Sequence, residues 1–317
     1  ASKITEGKIM SFSSEVKAEL LNITNDPCCE LAQSYGLLLF GRAFSANELS
    51  FLSDSVILAE SYSKAAEFLA DTEISPVKTE GGKYKVLIQD KKILDRIFTK
   101  LGFSADSVKR RVNFANIQNP CCFSAFLRGA FLSCATVTNP EKEYHLEFVL
   151  GDEAFAAALA KLIARFDLDA HITTRRQMTL VYLKGQSEIT DMLSIIGAQS
   201  ARFAMEDAFI RKELRNNANR ATNCDSANME RAVIAASRQT QAIELLLKTM
   251  GESSLPPALL QTAKLRLANP EVSLEELGRL CDPPVGKSGV NHRLRKLEKM
   301  AQELTEQSQQ ETGEGKE

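Results

Sequence analysis

The chain has 317 residues, of which 44% are hydrophobic and 25% are charged, a balance that is typical of soluble globular proteins and sufficient for two domains. No apolar run approaches the ~20 residues that span a bilayer, and no signal-peptide core is present, so we predict a cytoplasmic protein with no membrane partner. Seven cysteines are an odd number in a long chain, which argues against a disulfide framework.

The net charge of −2 argues against a nucleic-acid partner, but the charges are unevenly distributed. Residues 1–210 carry 23 Lys and Arg against 26 Asp and Glu, whereas residues 209–299 carry 15 against 10. The C-terminal part of the chain is therefore basic, which is typical of a segment that binds nucleic acid.

The first two hundred residues contain a repeat with an offset of 93 positions. DPCCELAQSYGLLLFGRAF (26–44) is followed by NPCCFSAFLRGAFLSCATV (119–137), and in both a proline behind a capping Asp or Asn predicts a helix start. The segments 85–102 and 179–197 each indicate a strand, a turn, a helix and a glycine. Further strand-like and helical runs are Leu49–Ala59, Tyr62–Ala70, Tyr144–Leu150 and Ala154–Phe166. We predict two units of about 95 residues, each ordered α-β-β-α-β-β-α.

Each repeat begins with a helix that is apolar nearly all round and therefore has to be buried. Gly36 and Gly129 lie in the middle of these two helices. Glycine allows another helix backbone to approach closely, so we predict that the two helices pack against each other at a pseudo-twofold axis.

YGLLLFGRAF (35–44) and FLRGAFLSCATV (126–137) resemble degenerate copies of the LAGLIDADG helix of homing endonucleases. The resemblance implies two paired helices in the core and two saddle-shaped sheets that grip DNA. It also implies that Gly41 and Cys134 occupy the places of the metal-binding acids. Neither residue offers the hard oxygen ligand that metal-dependent cleavage needs. We therefore predict no catalytic residue, no metal ion and no cofactor.

The two Cys pairs, Cys28-Cys29 and Cys121-Cys122, allow two interpretations. We favour small, apolar filler on buried helix starts, since free cysteine is among the most buried residue types. The alternative is a four-thiolate metal site, which the symmetry of the repeat suggests. Adjacent cysteines differ from the usual C-x₂-C spacing, and the two helix starts need not meet.

Residues 202–250 are predicted to form a polar connector that leads into a helix. Its Arg-rich part favours contacts to DNA phosphates, with a solvated helix face as the alternative. Asn223-Cys224-Asp225 is predicted as a cap or turn before a helix that ends near Met250. The predicted DNA-binding residues of this segment are Arg211, Arg215 and Arg220.

Three short helices are predicted within residues 255–304. Two prolines, at 256 and 257, begin the first, which ends at Asn269-Pro270. Ser273 and Glu276 form a capping box at the second helix, and Ser288 is predicted to cap the third. The apolar stripe of the third helix is predicted to contain Val290, Leu294, Leu297, Ala301 and Leu304.

Three helices with a basic last one indicate a helix-turn-helix module, whose third helix presents its N-terminal residues to the major groove of DNA. Arg is suited to guanine and Asn to adenine, while Lys further along the helix is suited to phosphate. A bundle that binds protein is the alternative. The predicted DNA-binding residues of this module are Lys287, Ser288, Asn291, His292, Arg293, Arg295, Lys296 and Lys299.

The whole arrangement resembles the WhiA family of sporulation regulators. The resemblance rests on SFSSEVKAELL (11–21), FLRGAFLSCATVTNPEKEYHLEF (126–148), NRATNCDSANMERA (219–232), SLEELGRL (273–280) and GKSGVNHRLRKL (286–297). It implies an α+β fold, with a pseudo-twofold LAGLIDADG-like saddle domain followed by an all-α helix-turn-helix domain. The implied segments are a degenerate LAGLIDADG-like domain (10–200, with repeats at about 10–104 and 105–200), a basic linker and helix (201–250), a helix-turn-helix domain (251–304) and a disordered tail (305–317).

The family resemblance implies a non-catalytic, sequence-specific transcription regulator that binds double-stranded DNA at the nucleoid. It further implies a part in cell division, chromosome segregation and sporulation, with other regulators or RNA polymerase as further partners. Two alternatives stay open. One is a metal-dependent DNA endonuclease that uses acids outside the repeated helices, such as Glu48 or Glu141. The other is a scaffold whose first domain binds protein.

Overall fold

The structure is a computed structural model, and it describes residues 4–5, 8–104 and 108–313. The chain divides into two units, Ala1–Glu213 and Leu214–Glu317. The first unit opens with β1 (Ile4–Thr5), β2 (Lys8–Ile9) and α1 (Phe12–Leu20). The first repeat then consists of α2 (Pro27–Leu39), β3 (Ala43–Ser45), β4 (Glu48–Ser53), α3 (Val56–Ala70), β5 (Val77–Lys78), β6 (Tyr84–Ile88) and α4 (Lys91–Lys100). The second repeat consists of α5 (Pro120–Cys134), β7 (Ala135–Val137), β8 (His145–Leu150), α6 (Glu153–Ile163), β9 (His171–Arg175), β10 (Met178–Lys184) and α7 (Gln186–Ile196).

The two repeats have the same order of elements and the same sheet topology. Each forms a four-stranded antiparallel sheet, in the order β3-β4-β6-β5 in the first repeat and β7-β8-β10-β9 in the second. Phe51 pairs with Val86 in one sheet and Phe148 with Val181 in the other, and all four side chains are buried. The predicted order α-β-β-α-β-β-α is therefore confirmed, and with it the α+β fold class.

The strand-like run Leu49–Ala59 was predicted too long. Strand β4 ends at Ser53, because the Ser55 hydroxyl accepts a hydrogen bond from the Leu58 N–H at 3.5 Å and so caps α3. The last four residues of the run, 56–59, form the first turn of that helix. Short 3₁₀ turns follow at Phe114–Asn116, Ala164–Phe166 and Glu252–Ser254.

Helices α2 and α5 pack together in the core of the first unit, as the glycines in their middle predicted. A Cβ atom at Gly129 would lie 2.7 Å from the Leu37 nitrogen and closer still to the Gln33 carbonyl oxygen. A Cβ atom at Gly36 would likewise overlap the carbonyl of Phe126. The two backbones are thus in direct contact, at a distance that only glycine permits.

A single helix, α8 (Gln199–Met250), occupies the region predicted as a polar connector. The prediction of a cap or turn at Asn223-Cys224-Asp225 is wrong: residues 199–250 contain no proline or glycine, and nothing there interrupts the helical hydrogen bonds. The start of α8 is fixed by the Glu19 carboxylate, which accepts from the N–H groups of Ser200 and Ala201 at 2.6 and 3.1 Å.

The second unit contains three further helices around a core of its own: α9 (Pro257–Ala268), α10 (Leu274–Arg279) and α11 (Lys287–Gly313). The Ser273 hydroxyl accepts from the Glu276 N–H at 3.2 Å, which confirms the predicted cap. The buried residues of this core are Ile243, Leu246, Leu255, Leu259, Ala263, Leu277, Val290, Leu294, Leu297 and Ala301.

Two expectations for the third helix of this unit are wrong. Helix α11 begins at Lys287, so Ser288 lies inside its first turn and does not cap it. The tail predicted to be disordered from residue 305 continues the helix as far as Gly313, and residues 314–317 lie outside the described part of the chain. Residues 305–313 contain no proline and no glycine before Gly313, so nothing in the sequence ends the helix earlier.

Candidate nucleic-acid interface

Helix α11 is held in place by its apolar stripe. Val290, Leu294 and Leu297 are buried to within 1% of full burial, and Leu304 is half-buried beside them. This confirms the predicted core face and fixes which side chains of the helix point outward.

The outward face of α11 carries a stripe formed by Ser288, His292, Arg295 and Lys299. These residues follow one another at intervals of four, three and four, so they lie on one side of a helix with 3.6 residues per turn. All four are exposed and lie opposite the buried stripe. We call this set the α11 stripe.

Lys287 and Lys296 flank the α11 stripe and are also exposed, whereas Asn291 is half-buried at its edge. Lys299 forms an ion pair with Glu303 at 3.6 Å, and both side chains are more than half exposed. Such an exposed pair is weak, so Lys299 can exchange Glu303 for a phosphate at little cost.

The first turn of α11 has no capping side chain at Gly286. The Gly286 carbonyl accepts from the Val290 N–H at 3.1 Å, but Gly286 has no side chain that could cap the other N–H groups of this turn. The first N–H groups of a helix have no partner within the helix, and the helix dipole adds partial positive charge there. Beside Lys287, this turn suits a phosphate.

Arg293 does not belong to the outward face. Its Nη1 donates to the hydroxyl of Thr262, a buried residue of α9, at 3.3 Å, and Arg293 is half-buried. Helix α9 packs along that flank of α11, and this hydrogen bond joins the two helices. The DNA contact of Arg293 stays a prediction.

The turn before α11 depends on a close approach of two backbones. The Val285 N–H donates to the Gly278 carbonyl at 2.9 Å, and a Cβ atom at Gly278 would overlap the Val285 carbonyl. Because glycine permits this contact, the connection between α10 and α11 brings the two helices together.

Arg238 was not identified from the sequence, although it borders the α11 stripe. It lies on α8 and lines a groove with Arg295 and Lys299, and its Nε donates to Glu298 at 2.9 Å. Nothing local to residue 238 indicates this position, because only the packing of α8 on α11 creates the groove.

The three arginines predicted on α8 have different surroundings. Arg211 forms ion pairs with Asp207 and, at 2.6 Å, with Glu141, so two carboxylates compensate its charge. Arg215 and Arg220 are exposed, but five residues of helix place them about 140° apart around the axis. They do not form one basic face.

Cations lie near Gly41 and Cys134, the two residues that the resemblance implies in place of the LAGLIDADG acids. The Arg110 guanidinium donates to the Gly41 carbonyl at 2.7 Å, and the Lys17 ammonium donates to the Leu132 carbonyl at 3.2 Å, near the end of α5. Burial raises the pKa of the Cys134 thiol to about 12 and lowers the pKa of Lys17 to about 8, so at neutral pH the thiol is uncharged and the amine is charged. The two cations repel Mg²⁺, and the neutral thiol is not the oxygen ligand that Mg²⁺ prefers.

The two acids considered as alternative nuclease residues belong to different repeats and are held by their own neighbours. Glu141 pairs with Arg211, and the Glu48 carboxylate accepts from the Gln89 side chain at 3.2 Å. Glu48 also lines a surface depression with Arg42 and Lys83.

The four paired cysteines meet, although their sequence did not require the two helix starts to lie together. The Sγ atoms of Cys28, Cys29, Cys121 and Cys122 all lie within 4.8 Å of one another. Cys28 and Cys121 are exposed, so the interpretation of all four as buried filler is wrong for these two.

Family models match both parts of the chain: the WhiA LAGLIDADG-like domain over residues 123–215 and the WhiA C-terminal HTH domain over residues 218–301. The chain is 37% identical over 306 residues to the probable cell division protein WhiA of Desulforudis audaxviator, covering 93% of this chain and 98% of the relative. It is 36% identical over 313 residues to the protein of that name from Clostridium perfringens, with the same coverage. The chain belongs to the WhiA family.

A solved WhiA structure also matches over nearly the whole chain. The full-length DUF199/WhiA from Thermatoga maritima is 26% identical, with a TM-score of 0.58, and the match covers 93% of this chain and 99% of that one. The predicted family and the predicted LAGLIDADG-like and helix-turn-helix architecture are therefore confirmed. Among the residues that the structure describes, no helix combines the length and the apolar character that crossing a membrane requires.

Proposed function

We propose that this protein is a non-catalytic, sequence-specific regulator of transcription that reads double-stranded DNA with α11. The observation that carries the proposal is the α11 stripe, an exposed row of polar and basic side chains on a helix whose opposite face is locked into a core. Membership of a family with a C-terminal HTH domain supports it.

The roles follow from position along α11. The first turn, with Lys287 and Ser288, is suited to a phosphate. Asn291, His292 and Arg295 lie further along and are suited to base edges, where one good bidentate contact contributes ~1–3 kcal/mol of discrimination. Lys296 and Lys299 are suited to phosphates, which add affinity without sequence information.

The proposed process is cell division, because relatives that match nearly the whole chain are named probable cell division protein WhiA. Chromosome segregation and, in spore formers, sporulation belong to the same proposal. Other regulators or RNA polymerase are proposed as partners at the nucleoid.

Electrostatics supports the non-catalytic part of the proposal. Gly41 and Cys134 provide no oxygen ligand, and Arg110 and Lys17 place positive charge where a divalent cation would have to sit. Glu141, which could replace one of the missing acids, already compensates Arg211.

A second candidate function is protein binding, and exposed apolar residues on α8 favour it. Met229, Val233 and Ile234 are 70%, 63% and 59% exposed, which is costly for a helix that contacts only water. If binding to a protein partner is the main function, replacing Val233 with Glu should abolish the activity in cells and leave DNA affinity unchanged.

The test of DNA reading begins with selection of bound sites from random duplexes by the full-length chain. Fluorescence anisotropy then compares the wild type with Arg295→Ala on the selected site and on an unrelated duplex. Specific affinity should fall ~10- to 100-fold and nonspecific affinity much less. Arg231→Ala is the matched control, because it removes one exposed arginine from α8 in the same unit.

Lys299→Ala should weaken binding to both duplexes similarly and reduce the slope of log K against log salt by about one unit. Circular dichroism has to show that each variant is folded. If neither Arg295→Ala nor Lys299→Ala changes affinity for the selected site, α11 is not the reading helix and the proposal fails.

A further inference from the structure

Two Pro-Cys-Cys sequences that are 93 residues apart place four thiol groups around one point. The Sγ atoms of Cys28 and Cys29 are 3.9 Å apart, as are those of Cys28 and Cys121, and all four Sγ atoms lie within 4.8 Å of one another. The Cys122 thiol also approaches the Cys28 carbonyl oxygen at 3.6 Å.

The packing of α2 on α5 explains why the four side chains meet. Each Cys pair lies in the first turn of its helix, and seven residues separate Cys29 from Gly36 and Cys122 from Gly129. The two glycines are the points at which the backbones touch. Because both helices extend the same distance from that contact to their start, the two starts arrive side by side.

The spacing of the sulfurs corresponds to a tetrahedral metal ion. A Zn–S bond of about 2.3 Å in a regular tetrahedron requires S–S distances of about 3.8 Å. Two of the observed distances are 3.9 Å, and the others need to contract by at most about 1 Å, which side-chain rotation provides. Adjacent residues on a helix point about 100° apart, so one pair can supply two corners of the tetrahedron.

We propose that Cys28, Cys29, Cys121 and Cys122 bind one Zn²⁺ ion that joins the two repeats of the first unit. Four soft thiolate ligands in a tetrahedral arrangement select Zn²⁺ over the hard cations Mg²⁺ and Ca²⁺. With all four positions filled by protein, the site is structural and has no open position for chemistry.

The surroundings favour a thiolate centre. Four thiolates around Zn²⁺ carry a net double negative charge, and all four cysteines lie in the first turn of α2 or α5, where the positive end of the helix dipole favours negative charge. The exposed Cys28 and Cys121 give a metal ion access from solvent, while Cys29 and Cys122 are anchored in the protein. A disulfide would use two of the four sulfurs and leave the convergence of the other two unexplained.

The proposal is tested on the full-length chain, loaded with Zn²⁺ under reducing conditions and desalted, with the metal measured by atomic emission. We expect one Zn²⁺ per chain in the wild type. The double variant Cys28→Ser/Cys121→Ser changes the two exposed ligands and should lose at least about nine-tenths of the metal. Cys224→Ser is the matched control, because it removes one exposed thiol from α8, remote in sequence from the four ligands, and should keep the ion.

Two further measurements follow the geometry of the site and its effect on stability. Co²⁺ added to the metal-free wild type should produce the intense visible bands and the near-ultraviolet charge-transfer band of a tetrahedral tetrathiolate site, and Zn²⁺ should displace them. Chelation of the metal should lower the melting temperature of the first unit in the wild type and in Cys224→Ser, but not in the double variant.

Three results would overturn the proposal. One is a wild type that retains less than about a tenth of an ion per chain and shows no Co²⁺ bands. Another is a folded double variant with the Zn²⁺ content of the wild type. The third is a disulfide between two of the four cysteines, located by peptide mass mapping after purification without oxidant.

Discussion

Replacing Gly129 with Ala tests the contact on which the whole first unit is built. The added Cβ atom would lie 2.7 Å from the Leu37 nitrogen and closer still to the Gln33 oxygen. Optimal contacts between heavy atoms are about 3.5–4.0 Å, so the methyl group overlaps by about 1 Å with backbone that no rotamer change can move. Helices α2 and α5 would have to separate.

The magnitude follows from two opposing effects. Overpacking a close-packed core costs about 1–3 kcal/mol, and an overlap with rigid backbone belongs at the upper end, about 3 kcal/mol. Alanine is favoured over glycine inside a helix by about 1 kcal/mol. The free energy of unfolding should therefore fall by about 2 kcal/mol, which for a unit of this size lowers the melting temperature by about 4–8 °C.

The assay is urea unfolding followed by tyrosine fluorescence. The chain has no tryptophan, and its five tyrosines all lie at or before Tyr182, so this signal reports the first unit alone. Gly151→Ala is the matched control: a Cβ atom there meets nothing within 4 Å, and its unfolding free energy should stay within about 0.5 kcal/mol of the wild type. A Gly129→Ala protein as stable as the wild type would refute the direct backbone contact.

Three further outcomes are expected. Arg128→Ala should lower the free energy of unfolding by about 2–4 kcal/mol. The buried guanidinium donates to Gln33 at 2.6 Å and to Asn25 at 2.8 Å, and both acceptors would lose a charged partner. A loss below about 0.5 kcal/mol would contradict this. Burial lowers the pKa of Lys17 from 10.5 to about 8. Between these two pH values the unfolded state therefore binds more protons than the folded state. The free energy of unfolding of the wild type should rise with pH, relative to that of Lys17→Met, by up to about 1.4 kcal/mol per pH unit. Urea unfolding of both proteins between about pH 7.5 and 9, below the range where the Cys134 thiol ionises in the fold, measures it, and parallel pH profiles would be the opposing result. Supercoiled plasmid should stay intact with the purified protein in Mg²⁺ or Mn²⁺, and nicking that EDTA abolishes would show an enzyme.

Much of the first unit could be predicted because its signals are local. A proline behind Asp26 or Asn119 marks a helix start, and the glycines at 36 and 129 mark the point of close approach. The recurrence of both signals after 93 residues predicts two equal halves without any knowledge of their packing. The end of β4 could not be predicted in this way, since Ser55 acts as a helix cap only where the chain turns after that strand.

The candidate interface, too, could be predicted only in part from the sequence. The period of a helix determines that Ser288, His292, Arg295 and Lys299 lie opposite Val290 and its buried neighbours, and the sequence alone contains this information. It does not contain the positions of the other helices. Arg293 is turned toward Thr262 by the packing of α9, and Arg211 is neutralised by Glu141, which is 70 residues away.

The repeat, the helix starts at Pro27 and Pro120 and the apolar stripe of α11 could be predicted from the sequence, because each depends on residues within a few turns of one another. The convergence of Cys28, Cys29, Cys121 and Cys122 and the position of Arg238 beside Arg295 depend on tertiary packing. Distances between residues far apart in the chain are set by how helices cross and how closely their backbones approach. The close packing of α2 on α5 brings the two Cys pairs together, so that their four sulfur atoms lie within 4.8 Å of one another.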